Sequence, residues 1–389
     1  MLVIPQVIAG NHVSIMERSL LAALSIVLAA LTEKYIERPF RKGFVISLQP
    51  MRNIALAGMV ATLLAVISFG ANYAGTAELR GKPGMESAAQ ARNLIDSITI
   101  KSTPTNTVPA RPATVDFPVP VNLQPNLLSA GGDRPITYSD RCHTQMNLRA
   151  STMPCIYGDT PSTVEVVLFG DSHALAWFPA MNQVAKENHW KLLSLTMSAC
   201  SAADIPAYNP STATLMENCP IWRKQSIQRI IAEKPFMVLV ASTGGFATQV
   251  NGVVVKGTNR TSVFTAGMNR TITQLKSSGA NVLLMSDTPA LAQDPLVCLS
   301  AHPNSTLACA TPVAQAISTD WIAVETQIAA VNSIALIKPQ MWICPTDPCP
   351  VVIGNILTYF DPGHMTATFS QALAGKLKRA LDAVLFPIN

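Results

Sequence analysis

The stretch Val164-Glu-Val-Val-Leu-Phe169 runs directly into Gly170-Asp171-Ser172-His173-Ala174. Its short apolar run, bounded by polar and turn residues, predicts a strand buried on both faces, as in a sheet covered by helices on each side. A helix is predicted next, over Ala174 to Asn188, with Pro179 marking a displaced start or a kink near its beginning. Glycine lets the backbone turn tightly between the two elements. Ser172 then stands at a strand–turn–helix junction, with its hydroxyl at the carboxyl edge of the sheet. Its N–H belongs to a helix N-terminus, which favours a developing negative charge. The plainer reading is that Asp171 or Ser172 only caps the helix.

The pattern repeats downstream. Strands are predicted at Leu192 to Thr196, Phe236 to Ala241 and Asn281 to Ser286. Helices are predicted at Met216 to Glu233, Phe264 to Ser278, Val313 to Val331 and Ala367 to Leu385. Alternation of this kind implies a three-layer α/β/α domain on a parallel sheet, with ligands at the carboxyl ends of the strands.

A second stretch with chemical content, Tyr359-Phe-Asp361-Pro-Gly-His364-Met-Thr366, precedes the last helix. A serine is a weak nucleophile until a base takes its proton, and the base must be held in one tautomer by an acceptor. Asp361 and His364, three residues apart across a Pro-Gly turn, supply that pair on one loop, with the second imidazole nitrogen left for Ser172. Asp-Pro-Gly is also a good turn sequence with no further role. A Gly-x-Ser-x-Gly elbow does not occur at Ser172, which argues against an α/β-hydrolase.

Composition places these motifs in a setting. Of the 389 residues 13% are charged, against about 25% in ordinary soluble domains. Mean hydropathy is +0.28, which excludes a disordered chain and points to a part that lives in lipid. The net charge of +5 is not gathered into one basic face, so no nucleic-acid partner is expected. No phosphate-binding glycine loop is present.

Asn53 to Ala77 is an uncharged, Leu- and Ala-rich run between Arg52 and Glu78, long enough to span a bilayer. Ser19 to Thr32 is shorter; it spans if Val13 to Met16 and the snorkelling flanks join it, and otherwise lies buried or at the interface. The connecting segment carries Lys34, Arg38, Arg41, Lys42 and Arg52 against Glu33 and Glu37. Such a loop stays cytoplasmic, which places everything after about residue 78 outside. The expected location is therefore the cell membrane, with two helices and an extracytoplasmic C-terminal part. From about Ser97 to Asp140 the chain turns to Pro, Thr, Ser and Asn, as in Thr103-Pro-Thr-Asn-Thr-Val-Pro-Ala-Arg-Pro112, and reads as a spacer laid along the surface of the downstream domain.

All eight cysteines fall after the second apolar run. An even number confined to the external part reads as disulfides. Sequence proximity favours Cys142 with Cys155, Cys200 with Cys219, Cys298 with Cys309 and Cys344 with Cys349, although order alone does not fix connectivity. Without a C-x-x-C or a nearby His pair, no metal site is expected. His12, His143, His189 and His302 show no ligand spacing and are assigned to surface or packing. His173 is assigned to structure or substrate contact, and Asp287, after the fourth strand, to the active edge. Trp177, Trp222, Trp321 and Trp342 are expected mostly in the core. Asn259, Asn269 and Asn304 head glycosylation sequons that matter only in a eukaryotic secretory route.

Gly-Asp-Ser after the first strand together with Asp-x-x-His before the last helix resembles the SGNH (GDSL-like) hydrolase family. Trp177, Pro179, the segment Thr196-Met-Ser-Ala-Cys200, and Trp342-Ile-Cys-Pro345 with Cys349 narrow the likeness to the SGNH domain attached to acyltransferase-3 membrane proteins. Glu33-Lys-Tyr-Ile-Glu-Arg-Pro-Phe-Arg41 resembles the end of the acyltransferase-3 membrane domain. The resemblance divides the chain into a last membrane-domain helix (1–42), an additional transmembrane helix (43–78), an extracytoplasmic extension (79–140) and an SGNH-like catalytic domain (141–389).

It implies O-acyl transfer, commonly acetyl, onto an extracytoplasmic glycan through a Ser172 ester, with His364 as base and Asp361 orienting it. No cofactor is expected on this chain. Acyl-CoA is the implied ultimate donor, through the remainder of the membrane domain or a separate acyltransferase-3 subunit; the glycan and the bilayer are the other implied partners. An esterase with the same triad and an inactive glycan-binding remnant are the alternatives. The chain departs from the family at the oxyanion hole, whose usual Gly and Asn are not evident. Gly170, Ser198, Ala199, Thr243 and Gly244 are the candidates, through backbone N–H groups joined by that of Ser172.

Overall fold

The computed structural model describes residues 111–387 apart from Thr152 and Phe246, together with Ala30, Glu33 and Lys34. The apolar runs at 19–32 and 53–77 otherwise lie outside the described residues. No helix among the described residues is long and apolar enough to cross a membrane.

The strands of the central sheet are β1 (His143–Thr144), β2 (Ile156–Gly158), β3 (Glu165–Gly170), β4 (Lys191–Met197), β5 (Met237–Ala241), β6 (Asn281–Met285) and β7 (Ala335–Ile337). Their spatial order is β1-β4-β3-β5-β6-β7, all parallel, with β2 antiparallel to β4. Every residue of β3 is buried, as an apolar run without alternation requires. Val166 and Leu168 enter one core with α2 (Phe178–Glu187), α6 (Ala367–Ala372) and α7 (Ala374–Leu385). Val167 and Phe169 enter the other, with Trp222 of α3 (Asn218–Glu233), Phe264 and Ile272 of α4 (Gly257–Lys276), and Ile328 of α5 (Thr319–Asn332). The fold is the expected α/β sandwich on a mostly parallel sheet.

Register fixes the functional edge. Gly170 is level with Thr196 on β4 and with Ala241 on β5, and Ala241 is level with Met285 on β6. Two residues beyond these level positions stand Ser198, Ser172, Thr243 and Asp287, a row of polar side chains across the carboxyl edge.

Several boundaries differ from expectation. The first strand extends through Gly170, because a residue without a side chain fits there: a Cβ on it would lie 1.8 Å from the Ala241 carbonyl oxygen. The helix after it is two, α1 (Ser172–Ala176) and α2, broken at Trp177, with Pro179 in the first turn of α2, where a missing N–H costs nothing. The helix expected over 313–331 is also broken; Ser318 caps α5 by accepting from the Trp321 N–H at 3.2 Å. The last helix breaks at Leu373. A small antiparallel sheet, Ala207–Asn209, Thr214–Leu215, Ala247–Val250 and Val253–Val255, lies outside the predicted alternation.

The described part of the Pro- and Thr-rich stretch is more than a surface spacer. Thr114 N–H donates to the Asp347 carbonyl at 3.1 Å, and Gln124 N–H to that of Asn355 at 2.8 Å. Val119, Leu123, Leu127 and Ala130 are buried in the core with α2. Four apolar side chains spaced along it reach that core, although its overall composition is that of a linker. The four disulfides are Cys142–Cys155, Cys200–Cys219, Cys298–Cys309 and Cys344–Cys349, each joining cysteines nearby in sequence.

Candidate active site

Ser172 opens α1, and Asp171 just before it is the N-cap, its Oδ1 accepting from the His173 N–H at 2.8 Å. The capping role thus falls to Asp171 and not to Ser172. Asp171 is fully buried; its Oδ2 accepts from the Ser242 hydroxyl at 2.6 Å and the Thr243 amide at 2.9 Å, tying the β3 edge to the β5 edge. Burial pushes its carboxyl above the usual range, against the charge of His173 and these hydrogen bonds.

Across 192 residues of sequence, His364 Nε2 lies 2.9 Å from Ser172 Oγ. On the other side of the ring, Nδ1 is 2.9 Å from each Asp361 carboxylate oxygen. The turn is locked by its own backbone, the Gly363 and His364 amides both donating to Asp361 Oδ1 at 2.8 Å. Partial burial alone would raise the Asp361 carboxyl; the hydrogen bond and charge of His364, with those two amides, outweigh it and hold it below the usual range. An ionised Asp361 fixes the tautomer with hydrogen on Nδ1 and leaves the Nε2 lone pair for the serine proton. Phe360 stacks on the His364 ring with centroids 5.7 Å apart. Tyr359, beside it, is buried and donates from its hydroxyl to the Pro289 carbonyl at 2.5 Å, fixing the start of the turn.

The oxyanion candidates separate. The Thr243 amide is committed to Asp171, the Gly244 amide to Asp287 Oδ2 at 3.0 Å, and the Ser198 amide to the Thr144 carbonyl at 2.9 Å. A donor already spent on a carboxylate or carbonyl cannot receive an oxyanion, which corrects the expectation for these three. Gly170 serves the close approach of β3 and β5. Ala199 holds a φ of +53°, a left-handed conformation that costs a non-glycine residue about 1–3 kcal/mol and is concentrated at functional loops. The Ala199 and Ser172 amides are the remaining candidate donors.

Residues assigned little by sequence close the site. His143, buried, is 2.9 Å from Thr196 Oγ1 through Nδ1 and 2.9 Å from Ser198 Oγ through Nε2. Burial, with the nearby charge of His364, takes its pKa down to about 3, so it is a neutral support for the β4 loop. His173 Nδ1 donates to Asp287 Oδ1 at 2.6 Å. Ser286 and Asp287 are held by Glu325 and Gln340: Glu325 Oε1 accepts from the Asp287 amide at 2.9 Å and from the Trp321 indole at 3.1 Å, and the Ser286 hydroxyl bonds its Oε2. Gln340 Nε2 donates to the Asp287 carbonyl at 3.0 Å. Burial pushes the Glu325 carboxyl up to about 8. A cavity of about 240 Å³ opens beyond Asp287, with Arg260, Gln315 and Trp321 in its wall. In the sequence Glu325 and Gln340 are ordinary helix residues; only the position of Asp287 after a buried strand pointed to the edge. Among the described residues no cluster of His, Cys, Asp or Glu is arranged to hold a metal.

A serine, an imidazole and a carboxylate in linear relay at the carboxyl edge of a parallel sheet, on loops after the first strand and before the last helices, define an SGNH-hydrolase-like fold. The sequence model of the SGNH domain (fused to AT3 domains) matches residues 141–379, and the chain belongs to that family. No AT3 domain itself is found in the chain.

No curated protein matches the sequence. Among solved structures, the chain is similar to the periplasmic domain of a lipopolysaccharide acetyltransferase from Salmonella ser. Paratyphi A. The identity is 16% and the TM-score 0.44, covering 56% of this chain and 83% of that one. It is also similar to the carbohydrate acetylesterase Est24 from Sinorhizobium meliloti, at 12% identity and TM-score 0.35, covering 57% and 99%. A GDSL-like lipase from Bacteroides thetaiotaomicron is a third, at 13% identity and TM-score 0.34, covering 57% and 88%.

Proposed function

We propose that the chain is a membrane-anchored, extracytoplasmic O-acyltransferase that moves an acyl group, acetyl in the first instance, onto a hydroxyl of a cell-surface glycan. The observation that carries the reading is the relay Asp361–His364–Ser172, each contact 2.9 Å. Membership of a family fused to AT3 domains supports transfer as the outcome. The four disulfides support an oxidising location, and an intact relay supports an enzyme over a glycan-binding remnant.

Ser172 Oγ attacks the acyl carbonyl carbon while its proton passes to His364 Nε2. Asp361 stabilises the imidazolium that forms. The tetrahedral oxyanion is received by the Ser172 and Ala199 amides. Collapse breaks the bond to the leaving group, which takes the proton from Nε2, and Ser172 is left as an ester. A glycan hydroxyl gives its proton to Nε2 and attacks the ester carbonyl. The second collapse returns the proton to Ser172 Oγ and releases the acylated glycan. The donor is ultimately acyl-CoA, delivered through an AT3-type membrane domain on the same polypeptide or a partner subunit.

A second reading, a carbohydrate esterase, is favoured by one observation: the side chains of His364 and Asp361 are 28% and 36% exposed, so water reaches the base. The deciding experiment measures acyl-group release from, and transfer to, the host glycan by NMR in cells expressing wild-type chain or Ser172→Ala. Acylation that is present with wild type and lost in the variant supports transfer. Acyl content that rises in the variant supports the esterase.

A further inference from the structure

Next to the relay stands a second histidine–carboxylate pair. His173 follows Ser172 on α1, and its Nδ1 is 2.6 Å from Asp287 Oδ1. The side chains of the two residues are 15% and 17% exposed. Asp287 is itself fixed on three sides, by the Gly244 amide at 3.0 Å, the Thr288 amide at 2.8 Å and the anchorage of its own amide to Glu325. With Nδ1 committed, Nε2 is the nitrogen of His173 that faces the catalytic turn: a Cβ on Gly363 would lie 3.8 Å from it. The ring meets that of His364 edge-on, with centroids 5.2 Å apart and planes at 63°. His173 therefore spans from the end of β6 to the loop that carries the base.

We propose that His173, anchored by Asp287, is a positioning residue that holds the Asp361–His364 turn against Ser172 and sets the electrostatic environment in which His364 works. The inference rests on the reading of Ser172, His364 and Asp361 as the reacting triad. The groups facing His173 are Asp287 and the Thr288 hydroxyl from the β6 edge, Asp171 from its own turn, and Asp361 and His364 from the catalytic turn. Burial alone would pull His173 down; the charge and hydrogen bond of Asp287, joined by Asp171 and Asp361, overcome it and raise it to about 9. At neutral pH the ring is then a cation whose Nε2–H faces the turn. Its charge favours ionised Asp361, the acceptor that orients the His364 ring toward Ser172. The Asp287 carboxylate offsets that charge when His364 becomes cationic during acylation.

The test compares His173→Asn, whose amide keeps a donor near the Nδ1 position, and Asp287→Asn with wild type. The measurement is kcat/KM against pH for 4-nitrophenyl acetate hydrolysis by the full chain. Active-site titration with a fluorophosphonate normalises for folded enzyme. For His173→Asn the expected result per titrated site is a loss of about tenfold or more, carried in kcat. The acidic limb of its profile also moves to higher pH, because removing a cation beside Asp287 leaves the local charge more negative. Asp287→Asn removes charge from both members of the pair once His173 loses its proton, so it loses rate with a smaller movement of the limb. Wild-type kcat/KM and an unmoved limb in His173→Asn would overturn the proposal, as would a loss that vanishes on normalisation. Ser172→Ala, run alongside, separates the two readings. If it is inactive while His173→Asn is unaffected, only the positioning role fails. If it retains activity, the triad reading itself fails.

Discussion

The indole of Trp321 occupies the space that a Cβ on residue 244 would need, 2.2 Å from the nearest ring atom. Glycine at this position is what lets the β5 loop lie on the Trp321 ring and bring the Gly244 amide to Asp287. Phe264 packs on the same indole with centroids 4.6 Å apart, so the ring cannot easily retreat. A residue with no side chain thereby sets the position of a carboxylate at the site.

Gly244→Ala should therefore reduce both stability and activity. Overpacking of this kind costs about 1–3 kcal/mol, read as a lower denaturation midpoint with an unchanged m-value. An activity loss greater than the loss of folded protein is expected, because the displaced loop releases Asp287. A variant with wild-type stability would show that the ring moves aside freely.

Replacing Cys200 and Cys219 by serine opens the bridge that ties the loop after β4 to α3. A native disulfide of this kind contributes about 2–5 kcal/mol. Arg223, which donates through Nε to the Ser201 carbonyl at 3.0 Å, keeps part of the loop in place. The expected outcome is a folded, less stable enzyme with slowed turnover, since Ala199 adjoins the broken bridge. Unchanged turnover at full folding would remove Ala199 from the oxyanion site.

Glu325 gives a pH signature in stability. Its carboxyl is raised to about 8 by burial, whereas an unfolded glutamate titrates near about 4.3. Below the unfolded value both states are protonated. As pH rises the unfolded chain loses its proton first, so this group costs stability progressively up to about 8 and no further above it. Glu325→Gln should flatten the decline of Tm between these limits and raise Tm on the alkaline side. Parallel Tm–pH curves for variant and wild type would contradict this.

Asp361→Asn tests the orienting carboxylate without removing a hydrogen-bonding side chain. The amide cannot enforce the Nδ1–H tautomer, and kcat should fall by about 10²–10⁴ with folding preserved. The carboxyl is held low chiefly by His364 against partial burial. The stability it adds is present above the unfolded value and lost as pH falls through the lowered folded one. The variant should thus lose less Tm on acidification than wild type.

Much of this was legible in the chain. The strand entering Gly170-Asp171-Ser172 was readable because full burial on both faces leaves an unbroken apolar run, and Asp361 and His364 because both lie on one short turn. Other features were hidden for physical reasons. The helix break at Trp177 was signalled by Pro179, which sits in the first turn of α2, but the packing of the Trp177 ring on Trp342 at 6.1 Å, from far along the chain, was not. β7 has three residues, too few for a period to show. The supports of Asp287 are polar helix and loop residues that gain meaning only when β6, α5 and the β5 loop converge. The unusable oxyanion donors were hidden for a related reason: two of these amides are taken by the carboxylates of Asp171 and Asp287 and one by the Thr144 carbonyl, partners that spacing along the chain does not reveal.

The most direct test of the triad is covalent. The full chain is incubated with 4-nitrophenyl acetate, quenched in acid and analysed by intact mass and peptide mapping. An added acetyl group on the peptide containing Ser172, absent in Ser172→Ala and strongly diminished in His364→Ala, is the predicted result. Turnover of the ester with no acetyl on Ser172, or with the adduct on another residue, would contradict it.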